Sequence, residues 1–313
     1  MKNARWLTEG AIFLAAFTVL LLLTIYVPII AIITNVVLPL PFMMFAAKHN
    51  LKNTITFLVA AIFISFIAGS LMGLALLFIY GTTGAVIGYM LQKNKSRTAI
   101  LIASTLTFMV WALIMYVISV AFFHLDIFHE LLKAVKESNV QTQELLKSRV
   151  PKDQLNKLLK QNNDTMKLLE VLAPSILIMT SFFSVFVIQL VCFPIAKRFG
   201  LSVPVWGKFR DLRFPRSLLW YYLFVMMANI LLRPHEGTYL YAALINLSYI
   251  LEIFMILQGF SFLYFFFHQR NFPKGVRIII TVLALLPTFR YIIRILGIID
   301  LGLDIRRRFE KRE

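Results

Sequence analysis

Long runs of apolar residues, separated by short basic clusters, fill most of the chain. A helix needs about 20 apolar residues to cross a hydrocarbon layer roughly 30 Å thick at 1.5 Å per residue. On that measure the pattern predicts eight crossings, at 10–33, 36–47, 54–72, 73–91, 98–123, 171–196, 217–233 and 238–267. The second is short and interrupted by Pro39 and Pro41, and the third and fourth meet at a tight uncharged turn near Gly69, Ser70 and Gly73. A further apolar stretch, 276–300, carries Pro287, Arg290 and Arg294. It reads as a re-entrant or interfacial element broken at Pro287, with a full ninth span as the near-equal alternative. The expected fold class is all-α, a polytopic integral membrane helical bundle.

Only one large polar insertion interrupts this pattern, at 124–170, where eight basic and seven acidic residues nearly cancel. Leu131, Leu132, Val135, Leu145 and Leu146, then Leu155, Leu158, Leu159, Met166 and Leu169, recur at helical spacing. Pro151 suits the first turn of a second helix, so the segment predicts an antiparallel helical hairpin standing outside the membrane. Two domains follow: a six-helix unit over 1–200 bearing this hairpin, and additional membrane helices with a basic tail over 201–313.

Composition agrees with burial in lipid: 59% of residues are hydrophobic and the mean hydropathy is +0.79, more apolar surface than one soluble core hides. The 32 Lys+Arg against 15 Asp+Glu would suggest nucleic acid in a soluble protein, but here the cations flank the apolar runs. No nucleic-acid role is expected, and the partner they imply is the anionic face of a lipid bilayer. Lys2/Arg5, Lys48/Lys52, Lys93/Lys95/Arg97, Lys197 through Arg216, and Arg270/Lys274/Arg277 fall at alternate ends of the spans. That parity puts them, and the N-terminus, on the cytoplasmic side of the cell membrane. The closing run Arg306, Arg307, Arg308, Lys311 and Arg312 belongs on the same side, which a ninth full crossing would forbid. Lys2 and Arg5 precede an apolar run too long for a signal peptide, so it reads as a retained first helix. Cys192 is the only cysteine, which excludes an intrachain disulfide or a CxxC site, and it reads as a small lipid- or core-facing residue.

Small residues mark close helix approach: Ala11 and Ala15 form an Ala-x-x-x-Ala face beside Ala16, and Gly69, Gly73, Gly81, Gly84 and Gly88 supply similar seams. Thr82 and Thr83 are placed to bond back to the preceding turn. With its basic N-terminus, short Pro-containing second helix and Gly-rich fourth helix, the region 1–200 resembles the substrate-binding S component of energy-coupling-factor vitamin transporters. The whole chain more closely resembles the YybS-like family of bacterial membrane proteins, itself similar to those S components. Two segments carry that likeness, Phe209-Arg210-Asp211-Leu212-Arg213-Phe214-Pro215 and Gly297-Ile298-Ile299-Asp300 leading to Asp304-Ile305-Arg306. The S-component resemblance implies capture of a small-molecule ligand from the outer side, and docking of a transmembrane coupling subunit with its ATPases on Ala11 and Ala15. The 124–170 hairpin and the added C-terminal helices depart from that pattern.

A pocket in such a bundle needs a few polar groups in an apolar wall. Candidates at membrane depth are Asn35, Tyr80, Thr83, Tyr89, Trp111 and Gln189, with Ser65 and Tyr116, and each is equally suited to bonding a neighbouring helix. Glu252 is sharper. It sits near the middle of the eighth span, where an unpaired charge costs at least about 2.5–3.5 kcal/mol on insertion scales. Arg290 and Arg294, one helical turn apart, offer guanidinium groups on one face. Pairing Glu252 with one of them leaves the other for an anionic substrate, a lipid headgroup or the interface; a static buried pair is the bland alternative. The loop 199–216 mixes Trp206, Phe209 and Phe214 with Lys208, Arg210, Arg213 and Arg216, which suits anchoring in the inner headgroup layer or docking of a cytoplasmic protein.

No Walker A loop, His-Glu-x-x-His or Gly-x-Ser-x-Gly is present, and the histidines at 49, 124, 129, 235 and 268 lack ligand-like spacing. Asp300 and Asp304, one turn apart, are the nearest approach to a Mg²⁺ pair, but local pairing of Asp304 with Arg307 and Arg308 is the commoner outcome. The sequence therefore predicts a protein that is not an enzyme and carries neither cofactor nor metal. Its expected role is a substrate-binding or transport-related membrane module. The alternatives are a scaffold or adaptor without a small ligand, and a secondary transporter using Glu252 with Arg290 or Arg294.

Overall fold

A computed structural model describes residues 2–146 and 152–306. Among these the chain is mostly helical: α1 (Lys2–Tyr26), α2 (Pro28–Val37), α3 (Leu40–Lys48), α4 (Leu51–Leu76), α5 (Thr82–Gln92), α6 (Arg97–Phe123), α7 (Ile127–Leu146), α8 (Lys152–Val171), α9 (Ala173–Arg198), α10 (Arg216–Leu232), α11 (Tyr239–Gln269), α12 (Lys274–Leu285) and α13 (Arg290–Leu303). Two compact units emerge, Met1–Leu159 with Leu177–Val205, and Lys160–Ile176 with Trp206–Glu313. The fold is an all-α polytopic bundle.

In the first unit the opening crossing ends earlier than the sequence pattern predicts, because Pro28 lacks the amide that would continue α1 and instead starts α2. The second crossing is accordingly Pro28–Lys48, a broken helix containing Pro39 and Pro41. Asn50 caps α4 by accepting from the Asn53 amide at 2.9 Å. The apolar stretch Leu51–Gln92 is 42 residues long, about 63 Å of helix, twice a bilayer core. Its helix breaks at Ser70, which has φ 51° and ψ −140°. A Cβ on Gly73 would lie 2.3 Å from the Ser65 carbonyl oxygen, although in unbroken helix those residues stand about 12 Å apart along the axis. The chain therefore doubles back at Ser70, giving the two spans expected there.

Phe17, Leu21, Phe42, Phe45, Phe57 and Ala61 form the core of this unit. Gly84 and Gly88 let α5 approach the backbone of α3, since a Cβ at either would fall 2.3 Å from the Pro39 carbonyl oxygen or 2.2 Å from that of Met43. Outside the spans, α7 and α8 form where the polar insertion predicts helices. Leu131, Val135 and Val140 on α7 are exposed, and Asp126 caps α7 by accepting from the His129 amide at 2.9 Å. Pro151 lies outside the described residues.

The second unit is built on α10, α11 and α13. Asn246 of α11 bonds the Val171 carbonyl at 2.7 Å and the Ser175 amide at 3.0 Å, which fastens α11 to the turn between α8 and α9. Gly259 and Gly297 bring α11 and α13 into backbone contact: a Cβ on Gly259 would meet the Ile293 carbonyl oxygen at 1.9 Å, and one on Gly297 that of Met255 at 2.0 Å. Leu219, Tyr222, Val225, Leu251 and Met255 pack around this seam.

Candidate functional site

The site lies on the face of α13 that meets α11. The polar contacts between them advance together along both helices, on either side of the glycine seam: Glu252 with Arg290 and Arg294, Gln258 with Asp300, and Ser261 with Arg306 just beyond α13. Helices whose contacts advance together run parallel. Because α12 departs from the end of α11 and α13 returns to that same end, 276–300 is a re-entrant limb, bent by 86° at its break. Pro287 and the short 3₁₀ turn Pro287–Phe289 make the corner. Neither arm, of 12 and 14 residues, reaches across a bilayer core of roughly 30 Å alone.

Glu252 marks the depth of the corner. The Asn229 amide on α10 donates to Ser248 at 2.9 Å, so in the antiparallel pair α10/α11 the next turn sets Glu252 level with about Val225. Tyr222 lies within electrostatic range of both Glu252 and Arg294. From Val225, Arg216 and Arg233 at the two ends of α10 are about 13 Å and 12 Å away, so Glu252 sits midway between them.

One oxygen of Glu252 is 3.1 Å from Arg290 Nη2 and 3.2 Å from Arg294 Nη1. Neither contact has hydrogen-bond direction, so that buried oxygen is held by charge alone. Both arginines engage the carboxylate, where the sequence reading paired it with one. The cluster carries a formal charge of +1, and its members are unequal: the side chains of Glu252 and Arg294 are 20% and 24% exposed, that of Arg290 56%. Arg294 also stacks over Tyr291, 4.9 Å from the ring centre.

Toward the end of α13, Asp300 and Arg306 are almost wholly enclosed. Asp304 adopts the left-handed conformation, φ 48° and ψ 49°, and turns the chain so that Arg306 folds back on Asp300. Arg306 Nη2 lies 2.7 Å from Asp300, with the two side chains 1% and 3% exposed. Its Nη1 donates to the Arg210 carbonyl at 2.6 Å and its Nη2 to Ser261 Oγ at 3.1 Å. Phe262 and Phe265 flank the guanidinium, with ring centres 5.9 and 5.3 Å away. Gln258 donates to Asp300 at 2.5 Å and accepts from the Phe214 amide at 3.0 Å. Ser261 Oγ is 2.9 Å from the Phe209 carbonyl and 2.8 Å from that of Leu212, either of which its proton can satisfy. The basic-aromatic run 209–214 is thus held by polar side chains on α11 and by Arg306.

Both aspartates are engaged by ion pairs, though Asp304 with arginines of the 209–216 segment. Asp300 is held by Arg306 and Gln258, while Asp304 accepts from Arg213 at 3.3 Å and Arg216 at 2.8 Å. Arg307 and Arg308, the sequence-predicted partners of Asp304, lie outside the described residues, as do Lys311 and Arg312. Arg306, Gln258 and Ser261 were missed as polar partners in sequence; the signal available was two polar residues three apart on an apolar span.

The first-unit candidates are dispersed. Gln189 is buried and donates to Ser104 at 3.2 Å, while Thr83 bonds back to Ile79 at 2.6 Å and Thr82 to Phe78. Tyr80 meets Phe108 edge-on at 5.5 Å, Trp111 stacks on Phe78 at 4.5 Å, and Tyr89 lies under the Lys93 ammonium at 5.7 Å. Tyr116 donates to Asp126 at 3.0 Å. Asn35 Oδ1 and Ser65 Oγ are buried without a hydrogen bond. Among the described residues no hydrogen bond joins any two of Asn35, Tyr80, Thr83, Tyr89, Trp111 and Gln189. Ala11 and Ala15 are exposed on α1, and Cys192 is core-facing, 3.3 Å from the Val36 carbonyl.

Comparison with known proteins matches residues 15–301 to a family described as predicted membrane protein (DUF2232). The chain is 32% identical over 310 residues to the uncharacterized protein YybS of Bacillus subtilis (strain 168), covering 98% of this chain and 99% of that one. No solved structure matches the chain.

Proposed function

The chain belongs to the DUF2232 family of predicted membrane proteins, and from that premise we propose that it is a non-enzymatic, transport-related binding module whose ligand is an anion held on the re-entrant limb. One observation carries this reading: two guanidinium groups share one carboxylate midway along α10, and the side chain of Arg290 is 56% exposed. A surplus cation at that depth costs about 2.5–3.5 kcal/mol on insertion scales, a cost that an anionic ligand offsets. Parallel packing of α13 on α11 also brings Asp304 and Arg306 to the side of Arg213 and Arg216, which supports a cytoplasmic placement of these cations by the charge rule. In this reading the membrane is the cell membrane and the N-terminus is cytoplasmic.

The test is movement of anions in liposomes holding the purified full chain, with inorganic phosphate, acetate and a fluorescent phosphatidic acid as probes. At least one should cross faster than in protein-free liposomes and slow at least tenfold with Arg290→Gln. Rates equal to protein-free liposomes for all three would overturn the proposal.

Two partner readings have narrower support. Exposure of Ala11 and Ala15 suits docking of a coupling subunit and its ATPases, and crosslinking of such a complex should be lost on Ala11→Leu with Ala15→Leu. The open apolar stripe of α7 suits an adaptor role, which a deletion of 127–171 that leaves every partner crosslink intact would remove.

A further inference from the structure

We infer that the ligand of the Arg290/Arg294 face is an amphiphile: a phosphate-bearing headgroup carried on an apolar tail, which enters sideways from the lipid. The inference rests on the anion site proposed above and names its ligand class. A free anion reaching mid-depth needs a polar route. Around Arg290 the exposed chain neighbours are, apart from Thr288, apolar: Leu285, Leu286, Phe289, Tyr291, Ile292 and Ile295, so the most accessible guanidinium opens onto a flank that favours hydrocarbon. An acyl chain lies along such a flank while its headgroup meets the cations.

The cation pair also suits this chemistry. Arginine presents a planar fork of donors that matches phosphate oxygens two at a time. Arg294 is held between Glu252 and Tyr291, whereas Arg290 shares Glu252 and extends outward. Arg290 further stands at the first position of α13, where the helix dipole adds positive potential. Depth separates this site from ordinary headgroup contacts: Glu252 is about 12–13 Å from the level of either end of α10. A headgroup seated there has left the interface, as a lipid does when it changes leaflet.

The test is retention of dioleoyl phosphatidic acid by the purified full chain in mild detergent, read by native mass spectrometry and by thermal shift. Dioleoyl phosphatidylcholine and inorganic phosphate serve as comparisons. The expected result is phosphatidic acid retained at least tenfold over phosphatidylcholine, and no thermal shift from equimolar phosphate. Arg290→Gln leaves Glu252 and Arg294 as a neutral pair; it should keep the ligand-free Tm and lose retention at least tenfold. Arg290→Lys, which keeps the charge and loses the fork, should lie between. Arg270→Gln with Lys274→Gln, at the α11–α12 turn, should retain the lipid as the parent does.

Three results would overturn the inference: protection by free phosphate equal to that by lipid, retention unaffected by Arg290→Gln, or retention lost equally with the Arg270/Lys274 variant. Lipid retention without any movement in liposomes would sink the transport proposal and keep this one. Phosphate movement without lipid retention would do the reverse.

Discussion

Arg306 reaches back six residues to Asp300 and closes on it at 2.7 Å, with both side chains almost wholly enclosed. The left-handed turn at Asp304 makes this possible, and Arg306 extends the contact to the Arg210 carbonyl. A loop, a span and the end of the re-entrant limb therefore share one buried ion pair.

Removing one partner of that pair strands the other. Arg306→Ala should cost about 3–5 kcal/mol, the range for an uncompensated buried charge, and Asp300→Asn with Arg306→Met should recover much of it. Thermal unfolding in detergent reads both. Equal losses for the single and double variants would mean that the charge interaction is not what holds the knot.

At the α11–α13 seam, Gly297→Ala would place a Cβ 2.0 Å from the Met255 carbonyl oxygen and 2.9 Å from the Gly259 amide, so the helices must separate. Overpacking of this kind costs about 1–3 kcal/mol. A lowered Tm should accompany weaker Glu252–Arg294 contact, seen as loss of a short-linker crosslink between cysteines placed at 255 and 296 in a Cys192→Ser background. An unchanged Tm would contradict the close approach.

The re-entrant path predicts sidedness. Single cysteines at 272 and 305, in the same Cys192→Ser background, should react with an impermeant reagent from one side of right-side-out vesicles, and a cysteine at 236 from the other. Reaction of 305 alongside 236 would make 276–300 a full crossing.

Asp126 supplies a pH-dependent contact outside the spans. The His129 amide, with help from the Tyr116 hydroxyl, holds its carboxyl below the ordinary aspartate range. Since the folded value lies below the unfolded one of about 3.9, the cap's contribution is present above that pH. It is lost as pH falls through the folded value. The His129 amide ¹⁵N shift should titrate below about pH 4 in the parent and stay flat in Asp126→Asn; a parent shift moving only near pH 6 would exclude the cap.

Most of the crossings were legible in sequence because lipid imposes one requirement, about 20 apolar residues per span, that residue order reveals, although Pro28 ends the first one early and α10 has only 17 residues. Pro287 also announced the break in 276–300, and Glu252 its need for a cation. Tertiary structure decided what residue order does not carry. The return of α13 alongside α11 depends on Gly259 and Gly297 meeting backbone to backbone. The sharing of Glu252 by two arginines and the closure of Arg306 on Asp300 depend on helix register and on a left-handed turn at a non-glycine residue. A period of 3.6 fixes which face a residue occupies, but only packing fixes what stands opposite it.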